Sequence, residues 1–289
     1  MEQSINESLP LKGRANDLIG LELRQSSTAN NHHLMTITLE TKVWENDWEL
    51  ILKTSRLKEL VNRCKHQFDK KIIYINNVKN PLEVQGYAQR LIDKGVIDQF
   101  VHVHEHADAA LAFFNLSKEK LGKGYYYSIA ELVSIYLTET THLLHFSSDT
   151  IPEKNISSNW LDQGIQVLEE NSQVKVFNLT WDKNYKEAQS ESFDENPNSY
   201  LGYGFSDQMY LVRTADFKAA IYEEVNAASE RYPSYGGELF EKRVDSWMRN
   251  HQFLRATYKH GSYLHQNFTK NRLAKKIALA INYPAFLSK

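Results

Sequence analysis

A single carboxylate follows a short apolar run near the middle of the chain. Residues 142–146 lead into Ser147, Ser148 and Asp149, and Pro152 closes the turn. A carboxylate at the carboxyl end of an α/β strand faces the crevice where such folds bind ligands. Asp149 is therefore a candidate ligand of a divalent cation that holds a diphosphate. The structural alternative is an Asp that only caps the turn.

Polar side chains also follow two other predicted strands. Glu40-Thr41-Lys42 comes after the first strand, and Asn76-Asn77 comes after the second. Asn and Thr can read the edge of a nucleobase through paired donors and acceptors, although Asn is also common in plain βα turns. Because the carboxyl ends of parallel strands share one edge of a sheet, we expect both segments to lie near Asp149.

A later acidic segment offers candidates for a general base. Gly236-Gly237 allows a tight turn, and Glu238, Glu241 and Asp245 follow it at the start of a predicted helix. Glu238 and Glu241 are three residues apart, so they would share a helix face. A sugar hydroxyl needs a carboxylate within hydrogen-bond reach as it attacks. The alternative is ordinary placement of acidic residues near a helix N-terminus.

Asp207 follows an aromatic segment bent by glycines, with Tyr203 and Phe205 just before it. Aromatic rings that stack on a sugar, together with a carboxylate that hydrogen-bonds to it, are typical of sugar recognition. Asp207 is thus a candidate sugar ligand and a further candidate base. A polar loop residue without a role is the alternative.

Two groups of histidines are candidates for metal binding. His265, at the end of the run 260–265, is a candidate metal ligand or phosphate donor. His102, His104 and His106 alternate with the spacing of a strand, so one face could carry three imidazoles and a zinc ion. Most of the 11 histidines are expected to be structural or at the surface.

Composition narrows the class of protein. The 289 residues are 42% hydrophobic and 24% charged, which suits a globular α/β protein with a real core. The net charge of -2 gives no bulk attraction to nucleic acid, so no nucleic-acid partner is expected. The single cysteine, Cys64, cannot form an internal disulfide, and no apolar stretch has the length of a membrane span. A cytosolic protein is expected.

Hydrophobic periodicity predicts alternating strands and helices, which indicates a parallel sheet with right-handed crossovers. The predicted strands cover residues 34–41, 71–75, 96–104, 143–146, 174–181 and 254–258, with a strand or hairpin over 200–213. The predicted helices cover residues 48–68, 81–94, 125–139, 160–170, 215–229, 238–249 and 271–280, with a looser region over 105–123.

In this order of elements the chain resembles GT-A-type glycosyltransferases, and family 2 inverting enzymes in particular. The resemblance rests on strand 35–39, on the strand that ends at Asn76-Asn77, and on residues 143–149, which stand where the family carries an apolar strand and its Asp-x-Asp motif. Residues 237–245 stand where the family has its catalytic acid. Ser147 replaces the first Asp of the motif. The implied fold is a Rossmann-like, mostly parallel central sheet flanked by helices.

The resemblance implies a division of roles. A nucleotide-sugar donor would bind over Thr38, Glu40, Asn76 and Asn77, with Ser147 and Asp149 at the diphosphate. Asp149 would bind a Mn²⁺ or Mg²⁺ ion, and His265 is a second candidate ligand on residue type alone. Glu238 or Glu241 would deprotonate a hydroxyl of a glycan or glycolipid acceptor, with Asp207 next in line, and the sugar would transfer with inversion.

Two other functions stay open. A sugar nucleotidyltransferase shares much of this fold but usually begins with a Gly-rich phosphate loop, and the residues after Leu39 contain no glycine. A GT-A-like module without activity, which binds a sugar or a partner, is also compatible with Ser147 in place of the first Asp. Loss or retention of donor turnover separates the module from the enzyme.

Three regions are predicted along the chain: a polar N-terminal arm over 1–33, the glycosyltransferase-like domain over 34–268, and a basic C-terminal helix over 269–289. The basic residues Lys270, Arg272, Lys275 and Lys276 alternate with apolar ones. Such a helix suits a peripheral contact with an anionic membrane surface, although packing on its own domain is the more common arrangement.

Overall fold

One ten-stranded sheet organises the part of the chain that the computed structural model describes, residues 35–232, 237–268 and 271–282. Its strands are β1 (Ile37–Val43), β2 (Lys70–Ile75), β3 (Gln99–His102), β4 (His142–Phe146), β5 (Thr150–Pro152), β6 (Val174–Trp181), β7 (Ser192–Glu195), β8 (Ser199–Gly202), β9 (Met209–Arg213) and β10 (Leu254–His265). The strand order is β3-β2-β1-β4-β9-β6-β10-β8-β7, and β5 pairs with β10.

Helices cover both faces of this sheet. They are α1 (Trp48–Leu52), α2 (Arg56–Cys64), α3 (Pro81–Asp93), α4 (Val103–Phe113), α5 (Lys118–Leu121), α6 (Tyr125–Leu137), α7 (Trp160–Glu170), α8 (Tyr185–Ser190), α9 (Thr214–Phe217), α10 (Phe240–Asn250) and α11 (Arg272–Ala280). Helices α1, α2, α3 and α7 supply one core layer, and α4, α6 and α10 supply the other.

Most strands run in one direction. β3, β2, β1 and β4 are parallel neighbours, and β6 and β10 form a second parallel pair. β9 is inserted antiparallel between β4 and β6, while β5 and β8 run antiparallel to β10. The predicted fold class, an α/β protein with a mostly parallel central sheet flanked by helices, is confirmed.

Strand β2 illustrates why the central strands could be recognised in the sequence. Ile73 and Ile75 pack into one core layer, whereas Ile72 and Tyr74 pack into the other. Successive side chains of a strand point to opposite faces, so a strand covered on both sides reads as a continuous apolar run. The helix that follows begins where it was predicted, because Pro81 occupies its first turn and the Asn80 side chain accepts from the Glu83 N–H.

The boundary between β3 and α4 differs from the prediction. A strand was predicted over 96–104, followed by a looser region, but the strand ends at His102 and α4 occupies Val103–Phe113. Ala107, Ala110 and Leu111 are buried at helical spacing on the face that meets the core. His104 and His106 therefore lie on a helix, and the predicted strand face with three imidazoles does not exist.

Two predicted helices are shorter or interrupted. The helix predicted over 48–68 is divided into α1 and α2, and most of the one predicted over 215–229 is irregular, with α9 at its start and a 3₁₀ turn over Ala227–Arg231. The Tyr222 hydroxyl donates to the carbonyl oxygen of Phe217 at 2.6 Å, and both rings are buried in the aromatic core. Burial of these rings outweighs helix propensity here.

The predicted strand or hairpin over 200–213 is two strands that do not pair with each other. β8 pairs with β10 and β7, whereas β9 pairs with β4 and β6. β10 is much longer than the predicted 254–258, because its second half pairs with β5 and with the end of β6. His265 is consequently the last residue of a central strand.

The C-terminal helix lies close to its predicted position. Lys275 of α11 pairs with Glu49 of α1 at 2.8 Å, and Ala278 is buried. The predicted arm, residues 1–33, lies outside the described residues. Among the described helices, none combines the length and the apolar character needed to cross a membrane.

Candidate active site

A cavity of about 760 Å³ opens at the carboxyl ends of β1, β2 and β4. It brings together six of the site residues predicted from the sequence, namely Asn76, Asn77, Ser147, Asp149, Asp207 and His265. The rest of its wall consists of Lys42, Val43, Trp44, Glu45, Asn46, Tyr126, Tyr127, Ser148 and Gln208. This is the edge of the sheet at which open α/β folds bind their ligands.

Asp149 and His265 meet inside this cavity. His265 Nε2 lies 3.2 Å from Asp149 Oδ2, and the Ser147 hydroxyl donates to Asp149 Oδ1 at 3.0 Å. The pairing of β5 with β10 sets this geometry, since Thr150 is opposite His265 and the Gln266 N–H donates to the Asp149 carbonyl oxygen at 2.7 Å. The strand pairing and this backbone hydrogen bond thus hold the two side chains next to each other.

Asp149 is ionised at neutral pH in this setting. Burial by itself would raise its pKa, but the hydrogen bond from His265, the charge of that imidazole when protonated, and the hydrogen bond from Ser147 together outweigh it. The pKa of Asp149 therefore lies below its ordinary value. The carboxylate is available to a cation over the whole physiological pH range.

The residues present fit a cation that is shared with a phosphate-bearing ligand. In the described part of the chain, no group of three or more His, Cys, Asp or Glu side chains is placed to hold a metal ion. Asp149 and His265 supply one carboxylate oxygen and one imidazole nitrogen. Mg²⁺ is typically held by one or two carboxylates plus substrate phosphates and water. A pair of protein ligands matches that arrangement and does not match a closed structural site.

Asp47 is a buried acid next to the cavity that the sequence interpretation missed. Its Oδ1 accepts the Trp44 N–H at 2.8 Å, and its Oδ2 accepts the Ser148 hydroxyl at 2.5 Å. Burial raises the pKa of Asp47 to about 7, with a smaller contribution from the charge of Asp149. The sequence signal for this role is the position of Asp47, four residues after the end of β1. Asp side chains at such positions often hydrogen-bond the backbone of a nearby turn.

Asp47 predicts a specific dependence of stability on pH. Its folded pKa of about 7 is above the unfolded value of 3.8, so the folded protein keeps a proton that the unfolded chain releases. The contribution of Asp47 to stability is full below about pH 4 and is lost as pH rises to about 7, at a cost of roughly 4 kcal/mol. Asp47→Asn should therefore be stabilising relative to wild type at pH 8 and much less so at pH 4.5.

Urea unfolding at several pH values between 4.5 and 8 measures this difference. Asp162→Asn is the control, because Asp162 is largely exposed on α7 and lies outside the cavity. Parallel curves for wild type and Asp47→Asn would show that Asp47 has an ordinary pKa.

The three predicted catalytic acids occupy different environments. Asp207 lines the cavity. Glu241 is half-buried and accepts the Asp207 N–H at 3.4 Å; its desolvation, and then the charge of Asp207, raise the pKa of Glu241 well above its ordinary value. Glu238 precedes α10, so the two glutamates do not share a helix face, and it is paired with Lys242 and Arg243 at 3.0 and 2.9 Å. Of the three, only Asp207 faces the cavity as a candidate base.

Thr38 and Glu40 do not reach the cavity, contrary to the expectation for the donor site. Both are buried within β1, which runs to Val43 and so extends past the predicted strand end. The Thr38 hydroxyl is 2.8 Å from that of Thr140, and Glu40 Oε1 is 2.6 Å from His145 Nδ1. These are contacts of the sheet interior, and the segment that does line the cavity is 42–46.

Exposed aromatic residues form one wall of the cavity. Tyr126 is 63% exposed, Tyr127 is 55% exposed and Trp44 is 48% exposed, although large aromatic side chains are usually covered. An ion pair between Lys42 on β1 and Glu131 on α6 ties the helix that carries both tyrosines to the sheet. Such rings can stack on a nucleobase or a sugar. The sequence interpretation placed this Tyr run on a helix but gave it no role.

Comparison with known proteins gives structural likenesses only. No protein-family model matches the chain, and no curated protein does. Glucosyl-3-phosphoglycerate synthase from Mycobacterium tuberculosis, in complex with Mn²⁺, UDP and glucosyl-3-phosphoglycerate, is 15% identical with a TM-score of 0.45, over 86% of this chain and 77% of that chain. TarS residues 1–349 from S. aureus are 12% identical with a TM-score of 0.44, over 80% of this chain and 60% of that chain.

Both structural likenesses have TM-scores below 0.5 and identities of 15% or less. At such identities and TM-scores they identify neither a substrate nor a mechanism for this chain.

Proposed function

We propose that this protein is a glycosyltransferase that moves a sugar from a nucleoside-diphosphate sugar to a hydroxyl group of a glycan or glycoconjugate, with inversion. The observation that carries the proposal is the Asp149–His265 pair in a large cavity at the carboxyl ends of parallel strands. One carboxylate and one imidazole suit a diphosphate-bound cation, and Asp207 lies in the same cavity as a candidate base.

The nucleotide part of the donor would bind over the ends of β1 and β2. Asn76 and Asn77 provide amide donors and acceptors for a base edge. Asn77 holds a left-handed backbone with φ 50°, which Asn tolerates better than most residues, and the Asn76 N–H donates to the Val43 carbonyl oxygen at 2.9 Å. The turn is thereby fixed against β1 before a ligand arrives. Trp44 would offer a stacking face nearby.

The diphosphate would lie next to Ser147, Asp149 and His265. A divalent cation bound by Asp149 and His265 would neutralise charge on the departing diphosphate. Ser147 orients Asp149 through its hydroxyl hydrogen bond and does not take the place of a second carboxylate. The site therefore needs the ligand itself to complete a cation's coordination shell.

Asp207 would act as the general base. The acceptor oxygen forms a bond to the anomeric carbon, the bond from that carbon to the diphosphate oxygen breaks with its electron pair, and the acceptor proton passes to Asp207. Glu241 would serve as a positioning residue, since it holds the Asp207 N–H from behind. Glu238, held by Lys242 and Arg243, would stabilise the start of α10.

A thermal-shift screen against nucleoside diphosphates and nucleotide-sugars, with and without Mn²⁺, tests the proposal. A ligand at a hundred times its dissociation constant should add about 2.7 kcal/mol to the free energy of unfolding. The expected result is a shift with one nucleotide that grows with Mn²⁺. No shift with any nucleotide would contradict the proposal.

One observation favours a second candidate, a GT-A-like module that binds sugar without turnover. Ser147 occupies the position at which a second carboxylate would strengthen cation binding. Among the described residues, Asp149 and His265 are the two candidate metal ligands, and no third one is grouped with them. Donor hydrolysis separates the two functions, because an enzyme releases nucleoside diphosphate slowly even without acceptor and a module does not. A sugar nucleotidyltransferase is not favoured, since the cavity segment 42–46 contains no glycine.

We also propose a peripheral contact of α11 with an anionic membrane surface. Leu273 and Ile277 on this helix, and Ile281 directly after it, are exposed at spacings of four residues, with Lys276 exposed beside them. Apolar residues next to basic ones suit the interface of an anionic bilayer. Flotation with phosphatidylglycerol vesicles should retain wild type and release Ile277→Glu, and equal flotation of both would contradict the contact.

A further inference from the structure

A second, smaller pocket lies beside the cavity. We name it the side pocket; it has a volume of about 270 Å³ and lies between β6, α8 and β10. Drug-sized ligands occupy sites of roughly 300–1,000 Å³, so the side pocket suits a single small ring. Gln208 lines both spaces, and the Tyr263 hydroxyl, which lines the side pocket, donates to Gln208 Oε1 at 3.2 Å.

The wall of the side pocket is rich in hydrogen-bonding groups that the fold holds in place. Asn178 is buried and accepts the Thr257 hydroxyl at 3.0 Å, where β6 and β10 are paired. Arg255 donates from Nη2 to Glu191 at 3.0 Å, while its Nε is buried and lacks a hydrogen-bond partner among the described residues. A buried donor without a partner is costly. A ligand hydroxyl in the side pocket would satisfy it.

Gly204 makes room for this guanidinium. Its φ of +114° is a conformation that side chains rarely adopt, and a Cβ there would lie 3.2 Å from Arg255 Nη1 and 3.0 Å from Arg231 Nη2. Residue 204 must therefore be a glycine if the Arg255 guanidinium is to occupy its observed position. The bend predicted at Gly204 leaves room for the guanidinium beside the side pocket.

The charges that line the side pocket disfavour anions. The lining contains two carboxylates, Glu187 and Glu191, and one guanidinium, that of Arg255. Glu191 already forms an ion pair with this guanidinium. A carboxylate or phosphate ligand would meet net repulsion, whereas hydroxyl groups can both donate to the glutamates and accept from Arg255. Trp181 and Tyr263 add aromatic surface to the same wall. The combination favours a neutral, polyhydroxylated ring.

The side pocket and the cavity meet at the loop that carries Asp207. Ser206 and Gln208 line the side pocket, while Asp207 and Gln208 line the cavity. Because Gln208 lines both spaces, a ring in the side pocket would lie next to the cavity that contains the candidate base. We infer that the side pocket is the acceptor subsite and takes a neutral sugar residue, an inference that rests on the proposed function.

Blocking the side pocket from α8 tests this inference. Ala188 lines the side pocket and is half-buried, whereas the next residue, Gln189, is exposed and lies outside its wall. Ala188→Trp should fill the space, and Gln189→Trp is the matched control on the same helix. Saturation-transfer NMR without nucleotide would use methyl β-glucoside and methyl β-galactoside as neutral probes, and methyl β-glucuronide and 3-phosphoglycerate as anionic ones.

Wild type and Gln189→Trp should give transfer signals from at least one neutral probe, and Ala188→Trp should lose them. Anionic probes should give weaker signals than the neutral ones. Glu191→Gln should strengthen binding of the glucuronide about fivefold, because it frees Arg255. Signals that survive in Ala188→Trp, or anionic probes that bind better than neutral ones in wild type, would overturn the inference.

Nucleotide binding by the same variants separates this inference from the proposed function. Ala188→Trp should keep the thermal shift with nucleotide, because Ala188 lies outside the cavity. Nucleotide binding with no glycoside signal in wild type would remove the acceptor subsite and keep the donor site. Glycoside signals sensitive to Ala188→Trp, without any nucleotide binding, would remove the transferase and leave a sugar site.

Discussion

Asp207→Asn should lower kcat for sugar transfer by about 100-fold to 10,000-fold, the range for loss of a general base. The change keeps the size of the side chain and the Asp207 N–H that Glu241 accepts, so nucleotide affinity should be unchanged. Initial rates of transfer from a nucleotide-sugar to the best neutral glycoside, measured together with a nucleotide titration, give both quantities.

Glu241→Gln is the matched comparison for Asp207→Asn. Burial, and then the charge of Asp207, raise the pKa of Glu241 and so favour its protonated form, and Gln is close to a protonated Glu in shape and hydrogen bonding. We expect its transfer rate to stay within a small factor of wild type. A loss in Glu241→Gln as large as in Asp207→Asn would move the base to Glu241.

Asp149→Ala should weaken Mn²⁺-dependent nucleotide binding by at least about 100-fold. Changes in groups that merely orient a metal ligand cost 10-fold to 100-fold in metal affinity, and Asp149 is itself one of the two candidate ligands. The measurement is a calorimetric titration with the nucleotide identified in the thermal-shift screen, once in the presence of Mn²⁺ and once in the presence of EDTA. Asp149→Ala should bind the nucleotide with similar, weak affinity in both conditions. Wild type should bind far more tightly with Mn²⁺ than with EDTA.

Ser147→Ala and Asp162→Ala are the comparison variants for Asp149→Ala, with an intermediate effect expected for the first and no effect for the second. Ser147 orients Asp149 through one hydrogen bond, so its loss should cost about 10-fold, and Asp162→Ala, outside the cavity, should leave binding unchanged. If Asp149→Ala bound nucleotide as wild type does, with the same gain from Mn²⁺, the role of Asp149 in the cation site would be excluded.

Elements with strong local signals could be predicted from the sequence. Strand β2 is a β-branched run, α3 begins with Asn80 and Pro81, and α7 covers Trp160–Glu170 as its apolar spacing predicts. In these cases local preference and burial agree. The start of α4 was missed because alternating histidines imitate the period of a strand, although the alanines and Leu111 that follow have helical spacing.

Elements that depend on strand pairing between distant parts of the chain could not be predicted from the sequence. The predicted strand ended at Tyr258. Gly261 and Ser262 interrupt the apolar pattern after it, and the pairing of β10 with β6 indeed shifts register there. The strand nevertheless continues, since β5 pairs with its last three residues. No local pattern reveals this pairing, and it is the pairing that brings His265 to Asp149.

The same limit applies to the candidate site. Asp149 and His265 were each singled out by residue type and context, but their contact could not be derived without the sheet order. Glu40 was expected at the edge of the sheet because the predicted strand ended too early, and Thr38 was assigned to the donor site from the resemblance alone. Asp47 was missed because its role depends on Ser148, 101 positions later in the chain.

The separation of 116 positions between Asp149 and His265 has a consequence for how the protein matures. Contacts between distant parts of a chain form late, because closing the intervening loop costs entropy before any contact compensates it. A cation and its diphosphate ligand would therefore bind only chains in which β10 has already joined the sheet in correct register. Nascent chains and register-shifted misfolded forms would hold no donor, so donor occupancy would act as an intrinsic checkpoint on assembly.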